Sequence, residues 1–454
     1  MVRVKAFDYS AALRLASFNE IVVTDAEPQY AKAIAHAVEI CGGRARIVRD
    51  ITPGETVLLT EGLASEPPAG RHYATLEKLL ATGKGRTFAL DFLSSSLPGE
   101  IGGCAGLCRS VRIERAPCSA FALSLDKAAG PEANAMRIMH ALFAPDDDYS
   151  LFADGGWRDE PGAELLPPSS SPIFRGNPVW LVTGGGRGVT ADCAVELARR
   201  TGGTFLLVGR SHLSVWPDWL PLEADLKALR GQLARNSDRP DMPKKPVEID
   251  RMARGLLASA EISATLNAIR QAGAHAVYLP ADIGNPKEVR QALVEVQRTT
   301  GQITGLVHGA GVLSDGHAEA LRANDFEKVF APKVGGFESI LSVLDTSALE
   351  HIGLFSSASA VFGNTGQANY AAANEWLNKL AEHLSHALPK AQVKSFCWGP
   401  WQGGMVDDAL ARMFTERGIG LISRPEGARI FADMLLNSPH EQVRFVIGDE
   451  WGGA

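Results

Sequence analysis

The chain has 454 residues, of which 45% are apolar and 21% are charged, and its net charge is −7. This composition is typical of a globular protein, and the length predicts two domains or two lobes of one domain. Lysines and arginines do not cluster, which argues against a nucleic-acid partner, and no apolar run is long enough to predict a membrane span. Met1–Ser10 lacks the apolar run of a secretory signal, so we expect a cytoplasmic protein.

The N-terminal part of the chain alternates buried-strand patterns with helical patterns, which predicts a parallel sheet with helices on its faces. The predicted strands are Ile21–Thr24, Val57–Thr60 and Thr87–Leu90, and the predicted helices are Tyr30–Ile40 and Thr75–Leu80. The turn after the first strand has no glycine, and Asp25 and Glu27 within it would repel a phosphate. Residues 1–172, which end in a Pro/Ser-rich connection, are therefore predicted to form a truncated Rossmann-like subdomain without a nucleotide site.

Six cysteines are scattered along the chain. Cys104, Cys108 and Cys118 lie closest together, but their spacing matches no zinc-binding pattern. We therefore expect buried, reduced thiols and no metal site.

Residues 173–454 repeat the alternation more clearly and predict an extended, doubly wound parallel sheet. The predicted strands are Val179–Thr183, Thr204–Val208, Ala276–Leu279, Ile303–His308, His351–Ser356, Val393–Cys397 and Val443–Ile447. The predicted helices are Val189–Arg200, Lys287–Thr299, Asp325–Leu344 and Ala368–Leu388. Residues 211–261 are broken by prolines and stand where a short helix would suffice, so we interpret them as an insertion, with helices at Glu223–Leu233 and Asp250–Leu257.

A glycine-rich turn joins the first strand of this part to its first helix. Val179–Thr183 runs directly into Gly184-Gly185-Gly186-Arg187-Gly188-Val189-Thr190, and this order of strand, glycines and helix is the context that a dinucleotide fingerprint requires. Gly184 would allow the tight turn, and Gly188 would let a pyrophosphate approach the helix N-terminus. Thr190 replaces the third glycine of the common pattern, which predicts slightly looser packing of the helix on the strand. The alternative is a glycine-rich turn without a ligand.

The second strand ends in Gly209-Arg210-Ser211. An acidic residue at this point would bind the ribose of NAD, whereas an arginine matches the 2′-phosphate of NADP. Arg210, together with Arg187, therefore favours NADPH, the alternative being a solvated arginine at a strand end. Asp282 and Ile283 are predicted to border the adenine. The segment predicted on the ribose and nicotinamide side is His308, Gly309, Ala310 and Gly311, where His308 itself is expected to be a packed residue without a catalytic role.

Four polar residues have the chemistry that the reduction of a ketone requires. Tyr370 would protonate the developing alkoxide, and because its unperturbed pKa is about 10, a neighbouring cation is needed to stabilise its phenolate. Lys333 is the candidate cation. Ser357 would donate a hydrogen bond to the carbonyl oxygen, and Asn374, one helical turn after the tyrosine, could hold a water between the lysine and solvent.

The chain resembles the ketoreductase domain of type I polyketide synthases and polyunsaturated fatty acid synthases, a branch of the short-chain dehydrogenase/reductase superfamily. The matching segments are Thr183–Gly188, Gly209–Ser211, Phe355–Ser357, Gly363–Asn374 and Trp398–Trp401. The resemblance covers essentially the whole chain and implies a truncated structural half followed by a catalytic half. It also implies the tetrad order lysine, serine, tyrosine, asparagine, whereas most of the superfamily has the lysine four residues after the tyrosine. The insertion after Arg210 and the tail Trp401–Met405 resemble the polyunsaturated fatty acid type.

The resemblance further implies residues that control the stereochemistry of the product. Relatives that form the R alcohol have Leu-Asp-Asp where this chain has Leu313-Ser314-Asp315, and a tryptophan associated with S products is replaced here by Phe362. We therefore expect the R alcohol, with Asp315, Phe362, Gln367 and Met405 near the substrate. Residues 403–422 are expected to form a lid whose Met405, Phe414 and Leu421 contact the acyl chain. The alternative for this segment is an ordinary surface helix.

Together these features predict NADPH-dependent reduction of a 3-oxoacyl thioester on an acyl carrier protein, in a chain that is a stand-alone or excised unit of a larger synthase. The expected partners are the carrier protein and other synthase domains. Two alternatives belong to other classes: a non-catalytic structural module that kept the fold, and a free-standing reductase of ketones or 3-oxoacyl-coenzyme A. Epimerisation of a 2-substituted acyl chain is a further open activity.

Overall fold

The structure is a computed structural model that describes residues 1–9, 20–95, 97–160, 177–240, 242–403, 406, 408–416 and 418–448. Two sheets with helices on their faces form the α/β architecture that the sequence predicts. The predicted boundary near residue 172 lies outside the described residues. No helix within the described ranges is both long and apolar enough to cross a bilayer.

The first sheet has the order β1-β8-β7-β6-β5-β4-β2-β3. Its strands are β1 (Val2–Phe7), β2 (Ile21–Thr24), β3 (Ala45–Val48), β4 (Thr56–Leu59), β5 (Arg86–Ser94), β6 (Ser119–Asp126), β7 (Tyr149–Phe152) and β8 (Gly155–Glu160). Its helices are α1 (Pro28–Ile40), α2 (Pro68–Ala81), α3 (Cys104–Glu114) and α4 (Gly130–Ala141). The strands from β7 to β3 pair in parallel, whereas β8 pairs antiparallel with β7 and β1. The sequence patterns had predicted three of these strands and no antiparallel edge.

The turn that follows β2 is filled by the protein's own polar groups. The main-chain N–H of Glu27 donates to Thr60 Oγ1 at 3.2 Å. The hydroxyl of Thr24 donates to the buried carboxyl group of Glu61 at 2.8 Å, and burial raises the pKa of that carboxyl group. A carboxyl group at the end of the strand does not favour a phosphate there, in agreement with the lack of a glycine-rich turn.

The second sheet is entirely parallel, with the order β11-β10-β9-β12-β13-β14-β15. Its strands are β9 (Val179–Thr183), β10 (Thr204–Gly209), β11 (His275–Pro280), β12 (Gly305–His308), β13 (His351–Ser357), β14 (Gln392–Trp398) and β15 (Arg444–Ile447). Strand order reverses between β9 and β12, and the crevice at the carboxyl ends of such a pair is where doubly wound folds bind ligands.

The helices of the second half deviate from prediction at two places. They are α5 (Gly188–Thr201), α6 (Leu226–Arg235), α7 (Pro246–Gln271), α8 (Pro286–Thr300), α9 (Ala323–Phe330), α10 (Gly336–Leu341), α11 (Ala358–Phe362), α12 (Ala368–Ala387), α13 (Asp408–Glu416) and α14 (Arg424–Asn437). The single helix predicted over Asp325–Leu344 is interrupted by a π-helical turn, Ala331–Gly335, because Pro332 lacks the N–H that continues an α-helix. The short helix predicted at Asp250–Leu257 is instead the start of α7.

The insertion and the main fold share α7. The first turns of α7 pack with α6 in a small apolar cluster that includes Leu229, Leu233 and Leu256. Its later turns contribute Ile262 and Leu266 to the core of the second sheet. The insertion is therefore joined rigidly to the crossover helix that precedes β11.

Helix α12 of the second half packs directly on α3 of the first. A Cβ atom added to Gly103 would lie 2.0 Å from the carbonyl oxygen of Ala372, and one added to Gly106 would lie 2.4 Å from that of Ala371. Farther along α12, the Lys379 ammonium donates to both carboxylate oxygens of buried Asp91, at 2.9 and 2.8 Å. The two halves thus meet along the helix on which the predicted tyrosine and asparagine lie.

Candidate active site

The glycine-rich turn has a backbone that requires glycine at two positions. Gly184 has φ +70°, its N–H donates to Val208 O at 2.9 Å, and an added Cβ would lie 3.0 Å from the main chain of Ala310. Gly188 begins α5 with φ +69°, and no atom lies within 4 Å of an added Cβ. The helix N-terminus therefore faces open space, which is the geometry that a phosphate group needs.

The other small residues of the turn serve packing. Gly185 lies against the Val182 side chain, and Gly186 lies against Ile262 of α7 and Tyr278 of β11. Thr190 does not loosen the packing as expected. It is buried, and its side chain lies 2.5 Å from where a Cβ of Gly309 would be, so the missing glycine of the fingerprint is compensated on the facing strand loop.

Two arginines lie exposed beside this turn. Arg210 follows β10, and among the described residues it has no carboxylate within the 4.0 Å of an ion pair. Arg187 precedes α5, and its guanidinium lies 3.9 Å from Glu261 of α7. Tyr278 donates its hydroxyl proton to Ser211 O at 2.9 Å, which fixes the chain just after Arg210. Tyr278 thus contacts both the turn that contains Arg187 and the segment that follows Arg210.

The predicted adenine-side residues lie at the end of β11. Asp282 Oδ1 accepts a hydrogen bond from Gly284 N–H at 3.0 Å, which holds the turn into α8. The side chain of Ile283 is buried in the core against Gly336, so that it can offer only its main chain to a ligand. Val189 is half-buried in the first turn of α5.

His308 is fully buried, and its ring bonds within the protein. Burial and the nearby Lys333 lower the pKa of this imidazole to about 3, so it is neutral. Nε2 lies 2.9 Å from Lys333 O, which can only accept, so Nε2 carries the proton and Nδ1 accepts from the Thr183 hydroxyl at 2.9 Å. Thr183 Oγ1 in turn accepts from Ala310 N–H at 3.4 Å. The ring therefore ties β9 and the segment 309–311 to the main chain of Lys333 and has no lone pair for a ligand.

Lys333 lies in the π-helical turn, and its side chain crosses the crevice floor. It is 3% exposed, and Nζ donates to Phe355 O at 3.0 Å. Burial lowers the pKa of this ammonium group to about 7. The Lys333 side chain needs a glycine at position 311 beside it, because an added Cβ there would lie 2.9 Å from Lys333 Cε.

Tyr370 lies in the first turn of α12, with Lys333 Nζ 5.4 Å from the centre of its ring. Burial raises the pKa of its phenol to about 12, the Asp315 charge adds to this effect, and the Asn374 side chain opposes it. The phenol is therefore protonated at neutral pH. The predicted pair of tyrosine and cation does lie side by side.

Asn374 is buried one turn after Tyr370. Its Nδ2 donates to Tyr370 O at 2.8 Å, and its main-chain oxygen accepts from Ser356 Oγ at 3.1 Å. Its Oδ1 is buried and accepts no hydrogen bond from the described residues. A buried acceptor of this kind is normally satisfied by water or a ligand.

Ser357 ends β13 and caps α11. Its Oγ accepts hydrogen bonds from the Ser359 main-chain N–H at 3.2 Å and from the Ser359 hydroxyl at 2.9 Å. Both lone pairs are used, so the remaining function of this hydroxyl is to donate its own proton. Lys333 Nζ donates to Phe355 O, two residues earlier on β13, so the lysine reaches the end of the strand on which the serine lies.

The predicted substrate-side residues lie on two adjoining loops. Gln367 Nε2 donates to Asp315 Oδ2 at 3.0 Å, and Asn364 Nδ2 donates to Gln367 Oε1 at 3.0 Å. Phe362 is half-buried at the end of α11. Met405 lies outside the described residues.

The predicted lid contains α13, whose Phe414 is buried. Ile422 N–H donates to Pro400 O at 2.8 Å, which joins the end of this segment to the chain leaving β14. Leu421 is half-buried beside that joint.

Sequence reasoning missed Asn369, which organises the loop of Asp315. Its buried Nδ2 donates to Ser314 O at 2.9 Å and to Asp325 O at 3.2 Å. Ser314, where the R-type relatives have an acidic residue, donates to Asp325 Oδ1 at 2.9 Å. An asparagine next to the predicted tyrosine is the signal that could have revealed it, because a polar residue on a buried helix face needs partners.

The chain matches known proteins in family, sequence and fold. The family model described as KR domain matches residues 178–403. One component of a polyunsaturated fatty acid synthase from Thraustochytrium sp. is 32% identical over 355 residues, which are 75% of this chain and 13% of that protein. Polyketide synthase PksL from Bacillus subtilis is 28% identical over 273 residues, which are 59% of this chain and 5% of that protein. The chain therefore spans a small part of these relatives.

Solved structures share its fold along almost its whole length. A ketoreductase domain from the bacillaene assembly line has a TM-score of 0.66 at 22% identity and covers 98% of this chain and 95% of its own. A ketoreductase from the first module of phoslactomycin biosynthesis in Streptomyces sp. HK803 has a TM-score of 0.69 at 19% identity and covers 98% and 92%. The structural similarity includes the first half of the chain, which lies outside the residues that the family model matches.

Proposed function

We propose that this chain, which belongs to the ketoreductase (KR) domain family of polyketide and polyunsaturated fatty acid synthases, reduces the 3-oxo group of an acyl thioester carried by an acyl carrier protein. NADPH is the proposed hydride donor, and the R alcohol is the proposed product. The observation that carries the proposal is that Lys333 Nζ lies 5.4 Å from the centre of the Tyr370 ring and donates to Phe355 O, two residues before Ser357, at the carboxyl end of the parallel sheet.

The residues around the turn fit a phosphorylated dinucleotide. The unobstructed space before α5 suits the pyrophosphate, and the main chain of 309–311 borders the same crevice. Arg210 and Arg187 suit a 2′-phosphate, because a guanidinium can bind it with two parallel hydrogen bonds. When bound, NADPH supplies a hydride to C3 of the thioester chain.

The protein's own groups would stabilise and protonate the oxygen of the ketone. The Ser357 hydroxyl, whose lone pairs are both occupied, donates to the carbonyl oxygen and stabilises the charge that develops on it. Tyr370 holds its proton with a pKa raised to about 12, so it is a competent acid towards the more basic alkoxide. As C3 gains the hydride, the O–H bond of Tyr370 breaks and the alcohol forms, which leaves a phenolate.

Lys333 and Asn374 would restore the phenol. The phenolate attracts a proton to the Lys333 amine, whose pKa is lowered to about 7 while the tyrosine is neutral. The free Oδ1 of Asn374 can hold a water that passes a proton from solvent to the lysine. The Lys333 ammonium group then gives its proton to the phenolate, which restores the phenol and the amine, so each turnover consumes one proton from solvent.

The proposed role of Tyr370 can be tested by removing its hydroxyl. In Tyr370→Phe we expect the NADPH dissociation constant, measured by fluorescence titration, to stay within about twofold, while turnover of a carrier-bound 3-oxoacyl thioester falls by about 10³-fold, the scale of losing a general acid. Tyr149→Phe is the matched control, since that hydroxyl bonds Pro145 O in the first half, and it should keep full turnover.

Turnover of Tyr370→Phe near that of the wild type would contradict the proposal. A wild-type chain that binds no NADPH would instead favour the non-catalytic alternative. Equal kcat/KM for the carrier-bound thioester and for its coenzyme A ester would favour the free-standing reductase.

A further inference from the structure

We infer that Glu114, a residue of the N-terminal half, is a positioning residue that sets the geometry of the two loops beside the reacting ketone and thereby the stereochemical preference of the reduction. The β12 loop comprises residues 311–318, and the α12 loop comprises residues 363–367. This inference rests on the proposed function and adds to it a source of stereocontrol that lies outside the catalytic half.

Glu114 is the last residue of α3, and its side chain is 4% exposed. Its Oε1 accepts from Gly366 N–H at 2.7 Å, and its Oε2 accepts from Ala318 N–H at 2.7 Å. Gly316 N–H donates to Gly366 O at 2.8 Å, so the two loops are also joined to each other. One carboxylate from the first half thus closes a ring of hydrogen bonds through both loops of the second.

The position of this carboxylate is unfavourable for α3 itself. The C-terminal end of a helix carries partial negative charge, which repels an acidic side chain. The neighbouring Arg115 pairs with Glu319 at 3.3 Å rather than with Glu114. The exposed ring of His317, whose Nδ1 lies 3.6 Å from Glu114 Oε2, is the basic group at the site. The two loop amides therefore supply the main stabilisation, since hydrogen bonds to a buried carboxylate are stronger than neutral ones.

The two amides that Glu114 holds lie in the loops that carry predicted stereocontrol residues: the amide of Gly366 is next to Gln367, and the amide of Ala318 is three residues after Asp315. Asp315 immediately precedes Gly316, and Gln367 immediately follows Gly366; their side chains meet at 3.0 Å. Tyr370 lies one helical turn beyond Gly366. A displacement of either loop would therefore change the position of the Asp315–Gln367 pair relative to the acid, and facial preference depends on small differences between two binding orientations.

Matched variants can separate positioning from general stability. Glu114→Gln keeps the shape but turns an N–H group towards one of the two loop amides, and Glu114→Ala removes both acceptors. Asp159→Asn is the control, because Asp159 of the first half accepts from Arg444 of the second at 2.9 Å and so also joins the halves, without contact to either loop.

Two readouts are needed. The first is hydrogen–deuterium exchange of peptides that cover the two loops, measured on the cofactor-free chain. The second is the diastereomer ratio of the alcohols formed from a racemic 2-methyl-3-oxoacyl N-acetylcysteamine thioester, with KM, kcat and the NADPH dissociation constant.

We expect both Glu114 variants to exchange about tenfold faster in both loops, with the larger effect in the alanine variant. The diastereomer ratio should fall about tenfold and KM should rise, while NADPH binding stays within about twofold. Asp159→Asn should lower the melting temperature without changing exchange in the loops or the ratio. Unchanged loop exchange, or an unchanged diastereomer ratio in Glu114→Ala, would overturn the inference. A wild-type chain that does not reduce the thioester would contradict the proposed function instead, and the loop exchange would still decide whether Glu114 holds the loops.

Discussion

At the scale of single residues, the site depends on an uncommon lysine. Lys333 is buried in a π-helical turn, and its Nζ contacts the main chain of Phe355 and the ring of Tyr370. Among the described residues it has no carboxylate partner, and burial lowers its pKa to about 7. The fold therefore holds a cation donor close to neutrality, where a small change in nearby charge switches its protonation.

This burial predicts a specific dependence of stability on pH. Between about pH 7 and 10.5, Lys333 binds more protons in the unfolded chain than in the folded one. The free energy of unfolding therefore carries the full cost of burying the ammonium group below pH 7, rises across this window, and is free of that cost above it. The difference in free energy of unfolding between the wild type and Lys333→Met should therefore increase with pH, by up to about 1.4 kcal/mol per unit. Urea unfolding of the two cofactor-free chains at several pH values measures this difference in free energy of unfolding.

An exposed lysine provides the control for this experiment. Lys328 lies on α9, about half exposed, with Asp325 at 3.3 Å. The difference between the wild type and Lys328→Met should stay nearly flat across the window. A flat difference for Lys333→Met as well would mean that Lys333 is solvated.

Much of the candidate site could be predicted from the sequence, because most of its residues belong to short local motifs. The glycine turn, the serine at a strand end, and the tyrosine and asparagine one helical turn apart are spacings that the sequence displays. The roles of Asn369 and Glu114 could not be predicted. Their partners lie far along the chain, and hydrogen bonds to main-chain groups leave no pattern of side chains.

At the scale of elements, α12 is the element around which the site is built. It carries Tyr370 and Asn374, and one of its faces lies against α3 at a distance that only glycine permits. The sequence predicted α12 almost to the residue because its pattern is long and regular. The break was missed although Pro332, within the predicted helix, is a local signal for it. The full length of α7 was missed because its later turns are stabilised by packing on the second sheet.

A pair of glycine variants tests this packing. Gly106→Ala places a methyl group 2.4 Å from the carbonyl oxygen of Ala371, so α3 and α12 must separate, and we expect a loss of about 1–3 kcal/mol in the free energy of unfolding. Gly255→Ala, within α7, meets no atom within 4 Å, and it should stabilise the chain by about 0.5–1 kcal/mol through helix propensity. Chemical denaturation of both variants measures the contrast. Equal effects would mean that α3 does not pack closely on α12.

At the scale of the whole molecule, the two halves differ at the turn that follows the first central strand of each sheet, and they are joined by buried contacts. Its own first turn is filled by Glu27, Thr60 and Glu61, whereas the equivalent turn of the second half is open. Across the interface, Lys379 and Asp91 form a buried ion pair, and Ser124 accepts a further hydrogen bond from the same ammonium group. Because breaking such a pair would leave an uncompensated buried charge, the intact pair holds α12 in one position on the first sheet.

The alternation of strands and helices was enough to predict two Rossmann-like sheets. That the first half lacks a nucleotide site, which its turn without glycine indicates, stays a prediction. The antiparallel edge, formed by β1 and β8, was not predicted. These strands come from opposite ends of the first half, and their exposed, charged residues give no buried-strand pattern.

The most direct test of the central claim, that this crevice delivers a hydride and a proton to a ketone, is to trace the hydride. The wild-type chain would be incubated with a carrier-bound 3-oxoacyl thioester and NADPH that carries deuterium at both C4 positions of the nicotinamide, and the product would be analysed by mass spectrometry and NMR. We expect deuterium at C3 of a single 3-hydroxyacyl enantiomer, with the hydroxyl proton drawn from solvent. An alcohol without deuterium at C3, or an unreduced thioester alongside bound NADPH, would contradict the account.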